Sequence, residues 1–156
     1  MDVSIVAAMN IRVVSVRPDE TVQVAIVRMV EENVGAVAVC EGPRLVGIFT
    51  ERDVLRLAGG GADFRELRVG DVMTRTLVAV SPHDDVVAAA QLMGQRRIRH
   101  LPVLEGENLL GIVGIREVLR ALVERLWRDR DPEVRETAQE LLSRPAAVSS
   151  DETGGA

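Results

Sequence analysis

The chain repeats itself once, and no gap is needed to see it. A shift of 64 positions (73 − 9) lays Met9 on Met73, Val16 on Val80, Pro18 on Pro82 and Val22 on Val86. Ala25, Met29 and Val39 meet Ala89, Met93 and Val103, Glu41-Gly42 meets Glu105-Gly106, and Leu45 meets Leu109. Gly47-Ile48 meets Gly111-Ile112, and Arg52 meets Arg116. Two tandem copies of one supersecondary unit imply that neither buries its apolar face alone and that each covers the other. A duplicated fold also has a pseudo-twofold axis with a cleft on it. The informative positions are those where the copies differ.

Each copy reads β-α-β-β-α. In the first, Val13-Val14-Ser15-Val16 is a short strand stopped by Pro18. Asp19 and Thr21 offer N-cap oxygens to a helix whose apolar positions Val22, Ala25, Ile26, Met29 and Val30 recur with period 3.6, and Gly35 is expected to end it. Strands follow over Ala36 to Cys40 and Leu45 to Phe49, joined by the hairpin residues Glu41-Gly42-Pro43-Arg44. A second helix runs from Glu51 to the Gly59-Gly60-Gly61 triplet. The second copy predicts a strand at Leu77 to Val80, a helix over about 84–97, strands at Leu101 to Leu104 and Leu109 to Val113, and a helix from Ile115 to Trp127. Asp131, Pro132 and Glu133 then read as N-cap, N1 proline and first-turn acid of one more short helix. The expected division is 1–60 for the first repeat, 61–69 for a linker, 70–128 for the second repeat, 129–143 for the C-terminal helix and 144–156 for a disordered tail. The fold class is α/β: two β-α-β-β-α repeats packed through their sheets, with a C-terminal helical extension.

Composition narrows the function. With 156 residues, 47% of them apolar, the chain can bury one core or two halves that share one. A net charge of −5 argues against binding a phosphate backbone, and every basic residue is Arg. Only Trp127, Phe49 and Phe64 are aromatic, too few to stack a single strand of bases. Cys40 lies in an apolar run and reads as a small buried hydrophobe. Met9, Met29, Met73 and Met93 read as core, and Asp84-Asp85 as a helix start. No signal peptide and no apolar run of membrane-spanning length is seen, so a cytoplasmic chain without membrane attachment is expected. His83 and His100 stand at no metal-ligand spacing, and neither a nucleophile elbow nor a P-loop occurs. No catalytic residue, metal ligand or required cofactor is therefore expected, and the chain is read as a non-enzyme.

Chemistry concentrates in Gly47-Ile48-Phe49-Thr50-Glu51-Arg52-Asp53, a strand that ends in a hydroxyl with a carboxylate three residues on. Helix capping accounts for that pair as a capping box. The same geometry also suits a vicinal diol, which donates two hydrogen bonds to one carboxylate. Both readings stand at this point.

The chain resembles a tandem pair of cystathionine-β-synthase (CBS) domains, a Bateman module, over roughly 3–125. The resemblance rests on Val16-Arg17-Pro18 and Val80-Ser81-Pro82, on Arg99-His100-Leu101-Pro102-Val103, and on the segment from Gly47 to Asp53. It implies that Thr50 and Asp53 grip the ribose of an adenosine ligand: AMP, ADP, ATP or S-adenosylmethionine. It further implies Arg99 and His100 at the phosphates and Ile48, Thr76, Leu77 and Pro102 around the adenine. An ordinary imidazole at His100 would become a second cation below about pH 6.5. Arg99 and His100 also have a plainer reading as a solvated strand end, and Arg96 and Arg97 suit a helix C-terminus.

At these positions the copies diverge. Thr50 becomes Gly114, Asp53 becomes Glu117, and Gly35-Ala36 become Arg99-His100. One cleft should collect Thr50, Asp53, Arg99 and His100. The other should collect Gly35, Ala36, Gly114 and Glu117, a degenerate site with no hydroxyl, an overlong acid and no local positive charge. The expectation is one nucleotide per chain in a regulatory module that signals to an unidentified protein partner. The family usually pairs such modules into homodimers; the alternative is a ligand-free dimerisation module.

Overall fold

The computed structural model describes residues 3–75 and 77–128, together with Glu136. Thr76, the helix expected at 129–143 (apart from Glu136) and the tail expected at 144–156 lie outside the described residues.

In the first copy, strand β1 (Ser15–Val16) leads to helix α1 (Val22–Glu31), then to the hairpin of β2 (Ala36–Glu41) and β3 (Arg44–Thr50), and to helix α2 (Glu51–Gly59). Thr21 caps α1 by accepting the Val24 N–H at 3.4 Å, and Val22, Ala25 and Met29 form its buried stripe. The hairpin turns at Gly42, whose φ of +58° is what a side chain would resist. After the short helix α3 (Val69–Val72), the second copy gives α4 (Val86–Arg96), β4 (His100–Glu105), β5 (Asn108–Gly114) and α5 (Ile115–Arg128). Asp85 caps α4 through the Val87 N–H at 2.7 Å.

Several expected boundaries move, beginning with β1, which keeps only Ser15 and Val16 of the expected Val13-Val14-Ser15-Val16. Helix α1 does not run to Gly35: it ends at Glu31, and the chain reverses through Asn33 at φ 52°. The equivalent Arg97 does the same at φ 54°, where Asn is tolerated more readily than Arg. The strand expected at Leu77 to Val80 reduces to one parallel bridge, Val80 to Val103. Pro102 explains this. In the first copy the Ala38 N–H donates to the Val14 carbonyl at 2.9 Å, but the equivalent Pro102 has no N–H to extend that ladder.

The sheet order is β1-β2-β3-β5-β4. The hairpins meet antiparallel at Arg44 and Asn108, positions that the repeat makes equivalent, so the pseudo-twofold axis passes there. Around that axis the copies exchange their leading segments. Asn10 bridges Ile112 of β5, and its counterpart Thr74 bridges Ile48 of β3. Gly47 and Gly111 leave room for these crossings: a Cβ would lie 3.0 Å from the Thr74 carbonyl in one case and 2.7 Å from the Asn10 carbonyl in the other.

The exchange determines where the cores sit. Val16, Val22, Ala25, Met29, Val37, Val39 and Phe49 pack with Val69 and Met73 from the segment that opens the second copy. Val80, Val86, Ala89, Met93, Leu101, Val103, Val113 and Val118 pack with Val3 and Ile5 from the start of the chain. Ile5 and Val69 are fully buried, each contributing about 1.5–3 kcal/mol to the half it joins. Helix α5, 14 residues against nine for α2, is tied to the start of α4 by Arg125 and Asp85 at 3.3 Å. Cys40, expected to be buried, is only partly so; the desolvation it does undergo raises its thiol pKa. Among the described residues, no helix is long and apolar enough to cross a membrane.

Candidate functional site

Strand β3 becomes helix α2 at Thr50, and capping organises that junction. The Thr50 N–H donates to Asp53 Oδ2 at 2.9 Å and its hydroxyl donates to the same oxygen at 3.2 Å. Asp53, only 6% exposed, still has Oδ1, with the Arg56 guanidinium 3.7 Å away. The capping reading is thus realised on one oxygen, while the other makes no hydrogen bond among the described residues and has Arg56 as its ion-pair partner. At the equivalent junction, the Gly114 N–H donates to Glu117 Oε2 at 3.1 Å. A Cβ on Gly114 would lie 2.5 Å from that oxygen. The longer acid has folded back into the space that the Thr50 side chain occupies in the first copy.

Two clefts flank the axis. The first, about 440 Å³, is lined by Thr50 and Asp53 on one side and by Arg99 and His100 on the other. Ile48, Leu77 and Pro102 complete an apolar wall. Its size and mixed lining suit a small organic ligand. The second cleft, about 320 Å³, is lined by Gly35, Ala36, Gly114 and Glu117. Every expected site residue that is described therefore lies in its expected cleft; Thr76 is outside the described residues.

The electrostatics differ from expectation. Arg12 and Arg116 line the second cleft, so it is not without positive charge. Arg12 is paired with Glu32 at 2.7 Å. It is the repeat equivalent of Thr76, and carrying that position across the repeat would have located it. Nor do Arg99 and His100 belong to one cleft: together with Glu51 they border both. His100 stands opposite Gly114 in the β4–β5 register, and a Cβ on Gly35 would lie 3.2 Å from its Cε1. Two glycines thus leave the gap that the imidazole fills. Burial lowers the His100 pKa below 6.5, outweighing the upward pull of Glu51 and Glu117, while Arg99 and Arg116 push it further down. At neutral pH the ring is a hydrogen-bonding group rather than a cation.

Sequence reasoning passed over two more residues. Glu51 read only as a helix start, and Arg52 only as a repeat match. Arg52 Nη1 donates to the Arg97 carbonyl at 2.6 Å and so clamps α2 to the end of α4. Among the described residues, no group of three or more His, Cys, Asp or Glu side chains could hold a metal ion.

The CBS domain family model matches twice, over 3–60 and 69–124. The chain belongs to the CBS domain family. The CBS domain-containing protein YhcV of Bacillus subtilis is 39% identical over 113 residues, which cover 72% of this chain and 80% of that protein. The mitochondrial CBS domain-containing protein CBSX3 of Arabidopsis thaliana is 42% identical over 111 residues, 67% of this chain. The match spans about half, 54%, of the plant protein's length. A solved protein with CBS domains from Burkholderia ambifaria superposes with a TM-score of 0.72 at 29% identity, covering 84% of this chain and 97% of that one. The two copies are therefore two CBS domains forming a CBS pair, and the clefts are the spaces between them.

Proposed function

We propose that this CBS pair is a regulatory, non-catalytic module that binds an adenosine-containing ligand in the first cleft and signals its presence to a partner protein. Asp53 carries the reading: a buried carboxylate at the mouth of a helix, with one oxygen held by Thr50 and the other available to a ribose diol. Ile48, Leu77 and Pro102 would surround the adenine, and Arg99 and His100 would meet the 5′ substituent. A CBS domain pair of the same fold, 17% identical with a TM-score of 0.73, has been solved in complex with 5′-methylthioadenosine and S-adenosyl-L-methionine. The second cleft is read as incompetent because Glu117 occupies the hydroxyl position itself. Binding would change the affinity for a partner only as far as the ligand distinguishes between arrangements of the two domains.

A homodimer is part of the proposal. Val24, Val27 and Val30 are exposed on one side of α1, and Leu55 is exposed on α2, an apolar surface that a second copy could cover. A CBS-CP12 protein from cyanobacteria, 30% identical and superposing with a TM-score of 0.74 over 90% of this chain, is a hexamer.

Calorimetry with adenosine compounds tests the ligand reading. Asp53→Asn keeps an acceptor for the cap but loses the charge that strengthens a diol contact, and should weaken binding about 10- to 150-fold. Asp53→Ala should lose binding too, with an added stability cost of about 1 kcal/mol because the cap goes as well. Equal affinity in Asp53→Asn and the unmutated chain would end the assignment.

A further inference from the structure

The first cleft is lined by several basic side chains, yet one alone is free to meet a ligand's tail. Arg52 is engaged by the Arg97 carbonyl at 2.6 Å, and Arg56 stands 3.7 Å from Asp53. His100 is wedged between Gly35 and Gly114 and kept uncharged by burial. Arg99 remains. It is exposed, and its guanidinium makes no hydrogen bond or ion pair among the described residues; only its backbone carbonyl is engaged, by the Ile115 N–H at 2.9 Å.

Beside it lies an acid. The Glu51 carboxylate sits over Gly35, 3.3 Å from the point a Cβ would occupy, and His100 Cε1 lies 3.2 Å from the same point. The Glu51 side chain likewise makes no hydrogen bond or ion pair among the described residues. Where the first cleft adjoins the second, it therefore presents one guanidinium and one carboxylate. The fold does not demand that acid. An acid at a helix start is favourable, but the equivalent position carries Ile115, and α5 forms from it over 14 residues.

Resting on the reading that the first cleft takes an adenosine compound, we infer that its ligand carries a zwitterionic amino-acid tail on the 5′ carbon, and that Glu51 is the residue that selects for it. The tail's carboxylate matches the Arg99 fork, and its ammonium matches Glu51. A polyphosphate brings several negative charges and no positive one, so Glu51 repels it while Arg99 can answer only part of it. That is selection by an unfavourable contact with the wrong ligand as much as by a favourable one with the right ligand.

The test titrates the full chain by calorimetry with S-adenosylhomocysteine, 5′-methylthioadenosine and ATP at low salt. The first two share adenosine and thioether and differ in the amino-acid tail. The unmutated chain should bind S-adenosylhomocysteine about tenfold or more tighter than ATP, and Glu51→Gln should narrow that ratio about tenfold by strengthening ATP and weakening the zwitterion. Binding of 5′-methylthioadenosine should not change in Glu51→Gln, which shows that the cleft is intact. Arg99→Gln should weaken both S-adenosylhomocysteine and ATP. If ATP binds more tightly than S-adenosylhomocysteine, or Glu51→Gln leaves the ratio unmoved, while Asp53→Asn still weakens binding at least about tenfold, the zwitterion is overturned and the adenosine reading survives. If none of the three compounds binds, both fall.

Discussion

The two clefts are made from equivalent positions of one repeat, by the same strand-to-helix junction and the same crossing segment, yet their walls behave differently. In the first, a short acid stays beneath Thr50 and leaves an oxygen toward the ligand space. In the second, one added methylene and one missing side chain let Glu117 turn back onto its own helix start. The acid still caps the helix in both. Capping is therefore the function that the fold requires of this position, and a ligand-facing oxygen is an extra that only the Thr-Asp combination supplies. Charge does not separate the clefts in the simple way expected, since Arg99, His100 and Glu51 form a common wall between them.

The largest expected effect concerns the cores beneath the clefts. Phe49 and Val113 are repeat equivalents and both fully buried. Phe49→Ala should cost about 3–5 kcal/mol, and Val113→Ala about 2 kcal/mol, measured by urea denaturation. Because each core includes the other copy's leading segment, both variants should still unfold in one transition. Two separated transitions would mean that the halves are independent and would break the comparison at its base.

A smaller effect should convert one cleft toward the other. Gly114→Thr alone places a side chain against Glu117 Oε2 and should destabilise the chain by about 1–3 kcal/mol. Adding Glu117→Asp should recover most of that loss, a non-additivity typical of residues in contact. If the degenerate site differs from the first mainly at this junction, the double variant should take up a second equivalent of ligand in calorimetry. Recovery of stability with no second equivalent would place the difference elsewhere in the second cleft, where Arg12, paired with Glu32, stands at the repeat position of Thr76.

The smallest effect is in pH, and it touches the shared wall. With its folded pKa lowered below 6.5, His100 stays neutral while the unfolded chain takes up a proton. The stabilisation is present above pH 6.5, is lost as pH falls from 6.5 toward the folded value, and does not change further below it. The difference in urea midpoint between the unmutated chain and His100→Gln, followed from about pH 7.5 to pH 5, should shrink in that window. A difference that grew on acidification would mean that the ring gains an acidic partner, Glu51 or Glu117, in place of its glycine-lined slot.

Much of the site was legible because the repeat supplies a register. Once Thr50 and Asp53 are aligned with Gly114 and Glu117, the register shows where the copies differ, and the CBS resemblance implies which residues share a cleft. The errors come from what a register does not carry. Pro102 breaks the ladder that its counterpart Ala38 makes, through a missing N–H visible only against the strand that would have paired with it. Arg12 was overlooked because its equivalent, Thr76, is uncharged. Glu51 and His100 lie 49 positions apart (100 − 51), and nothing local in either segment indicates that both side chains approach Gly35.

What the sequence determined by itself is therefore the repeat, most of the order of strands and helices, the capped junctions and the positions at which the two copies differ. These follow from periodicity, turn chemistry and side-chain length, all of which act over a few neighbouring residues. Only the tertiary structure decided that the leading segments change places, that Glu117 retreats onto Gly114, and that one wall serves two clefts. Each of these is a contact between segments far apart in the chain, where space and burial select the partner and local propensity has no influence.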